Sequence, residues 1–166
     1  YTTLFRSNKA NNEGGAVRLW NVTGNVTFLD SEFKMNKASG SHGGGVVILQ
    51  SSGDITFQDS KFISNEAGSG VGGGGVVILK SSGNLTFQDS EFQSNNAGWD
   101  GGAIVIWRSS GNLTFQDSNF ELNKVNHCGG AVSIGRSLGN MTFLRSDFKS
   151  NEAGRHAGAV TIWASS

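Results

Sequence analysis

The chain has 166 residues, and its 13 basic side chains balance 13 acidic ones, for a formal net charge of zero at pH 7. That balance leaves no basic footprint for nucleic acid and no polybasic surface for an anionic membrane. No apolar run approaches the roughly 20 residues of a membrane-spanning helix. Glycine is abundant (25 residues) and proline absent, which argues against a disordered low-complexity chain, and the single Cys128 cannot close an internal disulfide.

The chain opens at Tyr1 without a methionine or a signal-like segment, and reads as a processed chain or a window cut from a longer one. Three short units follow in order. The first is Phe5-Arg6-Ser7-Asn8, the second Gly14-Gly15-Ala16-Val17, and the third Gly24-Asn25-Val26-Thr27-Phe28. All three then recur. Phe33, Phe62, Phe92, Phe120 and Phe148 each precede an asparagine by three residues. The glycine unit returns at Gly43, Gly73, Gly101, Gly129 and, with alanine first, Ala157. The third unit returns at Gly53, Gly83, Gly111 and Gly139. The phenylalanines are spaced by 28, 29, 30, 28 and 28 residues. A fixed period in this range signifies one supersecondary unit stacked on copies of itself.

Within each repeat the segments read as strands. Asn112-Leu113-Thr114-Phe115-Gln116 alternates polar and apolar, as a half-buried strand does. Ala103-Ile104-Val105-Ile106-Trp107 is rich in β-branched residues and too short for a helix. Ser118-Asn119-Phe120-Glu121-Leu122 makes a third strand. Three short strands per repeat, separated by Gly, Ser and Asn turns, predict an all-β, right-handed parallel β-helix over residues 1–166. About six coils of 28–30 residues make a rod roughly 29 Å long at a spacing of about 4.8 Å. Most of the variation in length falls between the asparagine and the glycine unit. That step is six residues from Asn95, Asn123 and Asn151, seven from Asn36 and eight from Asn65, so this segment is predicted to be a protruding turn.

Equivalent residues should then stack. Val17, Val46, Val76, Ile104, Val132 and Val160 form one inward column, and Leu19, Ile48, Ile78, Ile106, Ile134 and Ile162 the next. Phe28, Phe57, Phe87, Phe115 and Phe143 form a third, and the Phe-x-x-Asn phenylalanines a fourth. Each buried member contributes on the order of 1.5–3 kcal/mol. Asn8, Asn36, Asn65, Asn95, Asn123 and Asn151 are expected to form a structural ladder at a corner, bonding to one another and to backbone groups freed there.

The pairing of Phe92-Gln93-Ser94-Asn95 with Gly101-Gly102-Ala103-Ile104, repeated from Phe120 to Asn123 and from Gly129 to Val132, resembles the chlamydial-type polymorphic outer membrane protein repeat. The resemblance covers nearly the whole chain, with Gly45 and Gly75 standing where alanine is usual and Ala157 replacing a glycine. It implies a right-handed β-helical passenger of an autotransported surface adhesin. The β-barrel translocator of that family is absent from this sequence.

Four outward columns carry the functional expectations. Trp20, Leu49, Leu79, Trp107, Gly135 and Trp163 alternate with the inward residues and are expected on the surface as an apolar stripe, flanked by Arg18, Val47, Val77, Val105, Ser133 and Thr161. Such a patch marks an interface: lateral packing on another chain, packing under a neighbouring segment, or stacking of sugar rings. Asn21, Asn25, Asn84, Asn112 and Asn140 sit in Asn-x-Thr sequons, candidate glycan acceptors in a eukaryotic secretory setting, although Gly-Asn is also an ordinary turn and adjacent rungs would crowd glycans. A lone threonine column (Thr27, Thr56, Thr86, Thr114, Thr142) is thin evidence for ice binding. Asp30, Asp59, Asp89 and Asp117, ending at Arg145, read as turn-capping or solvent-facing acids. His42, His127 and His156 lie in the variable turns, and no carboxylate or serine pattern singles one out. No catalytic residue, metal ligand or cofactor is therefore assigned, and the chain is not expected to be an enzyme.

Neither end carries a capping helix or a polar terminal coil, and the chain stops at Ser165-Ser166, where the next Gly-Asn strand would begin. An uncapped β-helix templates further pairing, so either the chain continues or copies stack head to tail. The first expectation is a structural segment of an extracellular fibre or cell-surface stalk, partnered by itself. The alternative is an adhesin passenger that binds glycans or proteins through the tryptophan stripe and the turns at 39–44, 68–74 and 98–102.

Overall fold

The computed structural model describes residues 2–40 and 42–163; Tyr1, Ser165 and Ser166, cited above for the chain ends, and Ser41 of the first variable turn lie outside the described residues. The described strands are all short and all pair in parallel, each with its equivalent one repeat away. In one repeat they run Ile104–Trp107, Leu113–Gln116, Asn119–Glu121 and Lys124–Val125. The last, a two-residue strand just after the asparagine, adds a fourth sheet to the three strands per coil expected from sequence. Three of the stacked sheets have six strands and the Leu113–Gln116 sheet has five. No described residue is helical. The architecture is the parallel β-helix that the period predicts.

The register is that of the columns, without slippage. Val76 pairs with Ile104 and Ile104 with Val132; Phe87 pairs with Phe115, and Phe92 with Phe120. In the Phe-x-x-Asn column, successive rings lie 4.6–4.8 Å apart and within 4° of parallel. The second phenylalanine column stacks at 4.8–5.2 Å and meets the first edge-on, as Phe57 meets Phe62 at 5.4 Å and 73°. Offset stacking along each column and edge contacts between columns are both favourable ring geometries, worth about 0.5–1.5 kcal/mol per pair beyond the area buried. From Phe33 to Phe120 these rings are fully buried, with the aliphatic columns closing the other side of the same core.

The asparagines hold the corner beside this core. Asn36, Asn65, Asn95 and Asn123 have no solvent exposure. Each amide nitrogen donates one hydrogen to the next rung's asparagine, as from Asn65 Nδ2 to Asn95 Oδ1 at 3.0 Å. It donates the other to a phenylalanine carbonyl of the preceding rung, as from Asn65 Nδ2 to Phe33 at 2.8 Å. Each Oδ1 also accepts the preceding asparagine's backbone N–H, so Asn95 Oδ1 takes that of Asn65 at 3.0 Å. A buried amide is thereby satisfied at both ends.

A second ladder went unnoticed in the sequence. The hydroxyl of Ser60 lies 3.0 Å from the carbonyls of both Phe28 and Gln58 and accepts the N–H of Ser31 at 3.4 Å. Ser90 and Ser118 repeat the arrangement. Its signal was a serine two residues before each Phe-x-x-Asn phenylalanine from Phe33 to Phe148.

The corners between strands are made by single left-handed residues. Asp30, Asp59, Asp89 and Asp117 have φ of 46–50°, which explains the acid column: aspartate tolerates this region better than most side chains. Arg145, in the same place, forms a bidentate pair with Asp117 at 2.6 and 2.8 Å and, with Gln116, holds its carboxyl below the ordinary aspartate range. The corner before the asparagine is filled by serine in four rungs but by Met35 and Leu122 in the other two, at φ of 53° and 57°.

Two outcomes follow. Asn95→Ala orphans the N–H and one amide hydrogen of Asn65 and removes the donor to Phe62, all buried, and is expected to cost about 3–5 kcal/mol in denaturant unfolding; Asn8→Ala, at an exposed end of the ladder, should cost under about 1 kcal/mol. Leu122→Asn relieves a half-exposed leucine in left-handed geometry and is expected to stabilise by about 0.5–1 kcal/mol in the same assay.

Candidate functional site

The strand Ile104–Trp107 and its equivalents turn Ile104 and Ile106 inward and Val105 and Trp107 outward. The outward residues are not all on the surface. Val47, Val77 and Val105 are at most 1% exposed and form a second apolar cluster with Leu49, Leu79 and Val71. The flank of the expected stripe is therefore corrected: these valines are covered by the chain's own turns.

Gly43, Gly73 and Gly101, at φ of 57–72°, bring the turn backbone down onto the Val47, Val77 and Val105 side chains, closely enough that a Cβ there would collide. The turns also stack on each other. Glu13, His42, Gly72, Asp100, Cys128 and His156 form one row of parallel bridges. The segment expected to protrude is a wall laid against the outer face of a sheet, and its insertions of one or two residues are absorbed without breaking that row.

The stripe itself is uneven. Trp20 is 63% exposed, donates from Nε1 to Gln50 Oε1 at 2.8 Å and lies 5.6 Å from the Arg18 guanidinium. Leu49 and Leu79 are half-buried beside it. Trp107 lies over Gly135, whose missing side chain makes room for the indole, and Arg136 sits 5.8 Å from the ring. Trp163 closes the column, 3.4 Å from the Ser133 hydroxyl. Between sheet and wall, Leu79, Trp107, Val71, Trp99 and Asp100 line a groove of about 330 Å³. Trp99, half-exposed at its rim, was not singled out from the sequence.

Beneath that rim lies a group that sequence reasoning did not assemble. His127 Nδ1 is 3.0 Å from Asp100 Oδ1 and 3.1 Å from Cys128 Sγ. Trp99 stacks on the imidazole at 4.5 Å, and Arg155 Nη1 reaches Nε2 at 3.0 Å. Because the guanidinium can only donate, Nε2 accepts, and the ring proton sits on Nδ1, facing the carboxylate. The Cys128 thiol has no solvent exposure; burial, then the Asp100 charge, push its pKa up. A Cys-His-Asp relay needs thiol and carboxylate on opposite ring nitrogens. Here both meet Nδ1, and the thiol is closed to substrate. The signal was present in the numbering, since Asp100 and Cys128, like Trp99, His127 and Arg155, are spaced by one 28-residue period.

The sequon asparagines lie on a different edge. The Oδ1 of Asn25, Asn84 and Asn112 accepts the N–H of residue 54, 112 and 140 respectively at 3.0–3.1 Å, and Asp54 bridges Asn84 in the same way. They are an exposed counterpart of the buried ladder, with Nδ2 pointing away from these bonds. Asn21 lies outside that row, at a left-handed corner (φ 55°) shared by Gln50, Lys80, Arg108 and Arg136.

No curated protein and no solved structure matches the chain. The family model described as the right-handed beta helix region matches residues 3–120, well over half of the sequence. Its architecture is that of the stacked coils described above, and the chain belongs to the right-handed β-helix family.

Proposed function

We propose that this chain is a structural β-solenoid segment of an extracellular fibre or cell-surface stalk, acting without catalysis and assembling end to end. The observation that carries the reading is the uniformity of the rung. Each one offers the next the same parallel strand edges, phenylalanine faces and asparagine amide, so any rung can seat another. At the last described rung, core-column residues are open to solvent: Ile162 is 53% and Phe143 38% exposed. A further rung, from the same chain or another copy, would cover them. The likeness of the Phe-x-x-Asn and Gly-Gly-Ala units to the chlamydial-type polymorphic outer membrane protein repeat supports placement at a cell surface. The sequons suit the same location, with glycans on Nδ2 leaving the Oδ1 contacts of Asn25, Asn84 and Asn112 intact.

The second reading, an adhesin, is favoured by one observation: the groove between Trp99 and Trp107 offers two indoles and the Asp100 carboxylate, a combination suited to a sugar ring. Leu49, Leu79 and Trp20 would extend that surface.

Sedimentation and negative-stain electron microscopy over a range of concentrations test the first reading. Rods growing in steps of roughly 29 Å are expected, as is their loss in Ile162→Lys, which puts a charge on the open end of the core. Particles that stay single at every concentration, or rods indifferent to Ile162→Lys, contradict end-to-end assembly. A glycan array tests the second: retained saccharide signal that falls about tenfold or more in Trp107→Ala supports it, and no signal from the unaltered protein removes it.

A further inference from the structure

In the core columns and the asparagine ladder of this rod, like stacks on like. The turn row breaks that rule at two adjacent rungs, where three different donor types converge. The carboxylate comes from Asp100 on one rung, and the imidazole and thiol come from His127 and Cys128 on the next. No equivalent set occurs among the other described turns, where the row carries Glu13, His42 and Gly72 on one side and His156 on the other. The geometry points to a divalent transition-metal site, zinc-like in its chemistry, held by Asp100 Oδ1, His127 Nδ1 and Cys128 Sγ.

The donor atoms fit such an ion. They all lie within 4.8 Å of one another, with the nitrogen 3.0 Å from the oxygen and 3.1 Å from the sulfur. Tetrahedral bonds of about 2.0–2.3 Å separate ligand atoms by roughly 3.3–3.7 Å, so the metal is admitted when the imidazole nitrogen backs away by a few tenths of an ångström and the oxygen and sulfur, within 4.8 Å of each other, close on the ion. One oxygen, one nitrogen and one sulfur select a borderline ion such as zinc over calcium or magnesium, which take oxygen ligands. Three protein ligands leave a fourth position for water or a small ligand. Asp100 also borders the groove beside Trp99, which gives the site a route to solvent.

The convergence on a single nitrogen, which rules out a relay, is the arrangement chelation requires. Binding shifts the imidazole proton from Nδ1 to Nε2, so that the ring stays neutral, and releases the thiol proton to solvent. Arg155, which donates to that nitrogen without metal, must swing away; it is exposed and free to do so. Arg155 is thus predicted to oppose binding, through both its hydrogen bond and its charge.

Cobalt(II) titration of the folded protein tests the site, because Cys128 is the chain's one cysteine and any thiolate-to-cobalt charge-transfer band must come from it. The expected result is a near-ultraviolet charge-transfer band with the intense visible bands of tetrahedral cobalt, saturating at one ion per chain and displaced by zinc. Cys128→Ser should abolish the charge-transfer band. Asp100→Asn and His127→Gln should weaken binding about tenfold or more, and Arg155→Ala should tighten it several-fold, with circular dichroism confirming the fold of each variant. No charge-transfer band in the unaltered protein overturns the proposal, as does a band of unchanged affinity in folded Asp100→Asn and His127→Gln.

Discussion

An asparagine amide that must reach both the rung before it and the rung after it constrains the whole structure. Asn65 donates to Phe33 at 2.8 Å and to Asn95 at 3.0 Å, and both bonds close only if successive rungs sit at one strand spacing in strict register. The phenylalanine columns obey the same spacing, with rings 4.6–4.8 Å apart beside the ladder. Slipping a strand by one residue would turn its phenylalanine outward and leave several buried polar groups unmatched. The polar ladder thus fixes the register, and the apolar columns supply most of the burial.

The same constraint shapes what the surface can do. A repeated residue becomes a row one strand spacing apart, suited to extended contacts: the Oδ1 row of the sequon asparagines, the aspartate corners and the uneven apolar stripe. Chemistry that needs different groups at one point requires a break in the repeat. Three such breaks lie together on one side of the rod. Gly135 makes space for the Trp107 indole, Trp99 covers His127, and Asp100 and Cys128 replace one another in a single row. Both the groove and the Asp100–His127–Cys128 cluster sit where wall and sheet meet.

The columns were legible in the sequence because the period varies by only two residues and the strand segments keep constant length. The aspartates were legible as corner residues, although their left-handed φ was not. What sequence did not reveal was the turn. Alternation correctly turned Val47, Val77 and Val105 away from the core but could not tell that a glycine-led segment folds back over them, because its variable length read as a loop leaving the stack. That reading also hid the cluster. From Asn95 onward the turns have equal length, so the 28-residue period that stacks Phe92 on Phe120 stacks Asp100 on Cys128 and Trp99 on His127 as well. The serine ladder was missed for a simpler reason: small polar residues before a strand read as turn.

The most direct test of the stacked-rung account is the side-chain amide of Asn95, observed by NMR. The account predicts amide protons protected from exchange with water and nuclear Overhauser contacts to the side-chain amides of Asn65 and Asn123, residues 30 and 28 positions away. Rapid exchange, with contacts only to sequence neighbours, would contradict it.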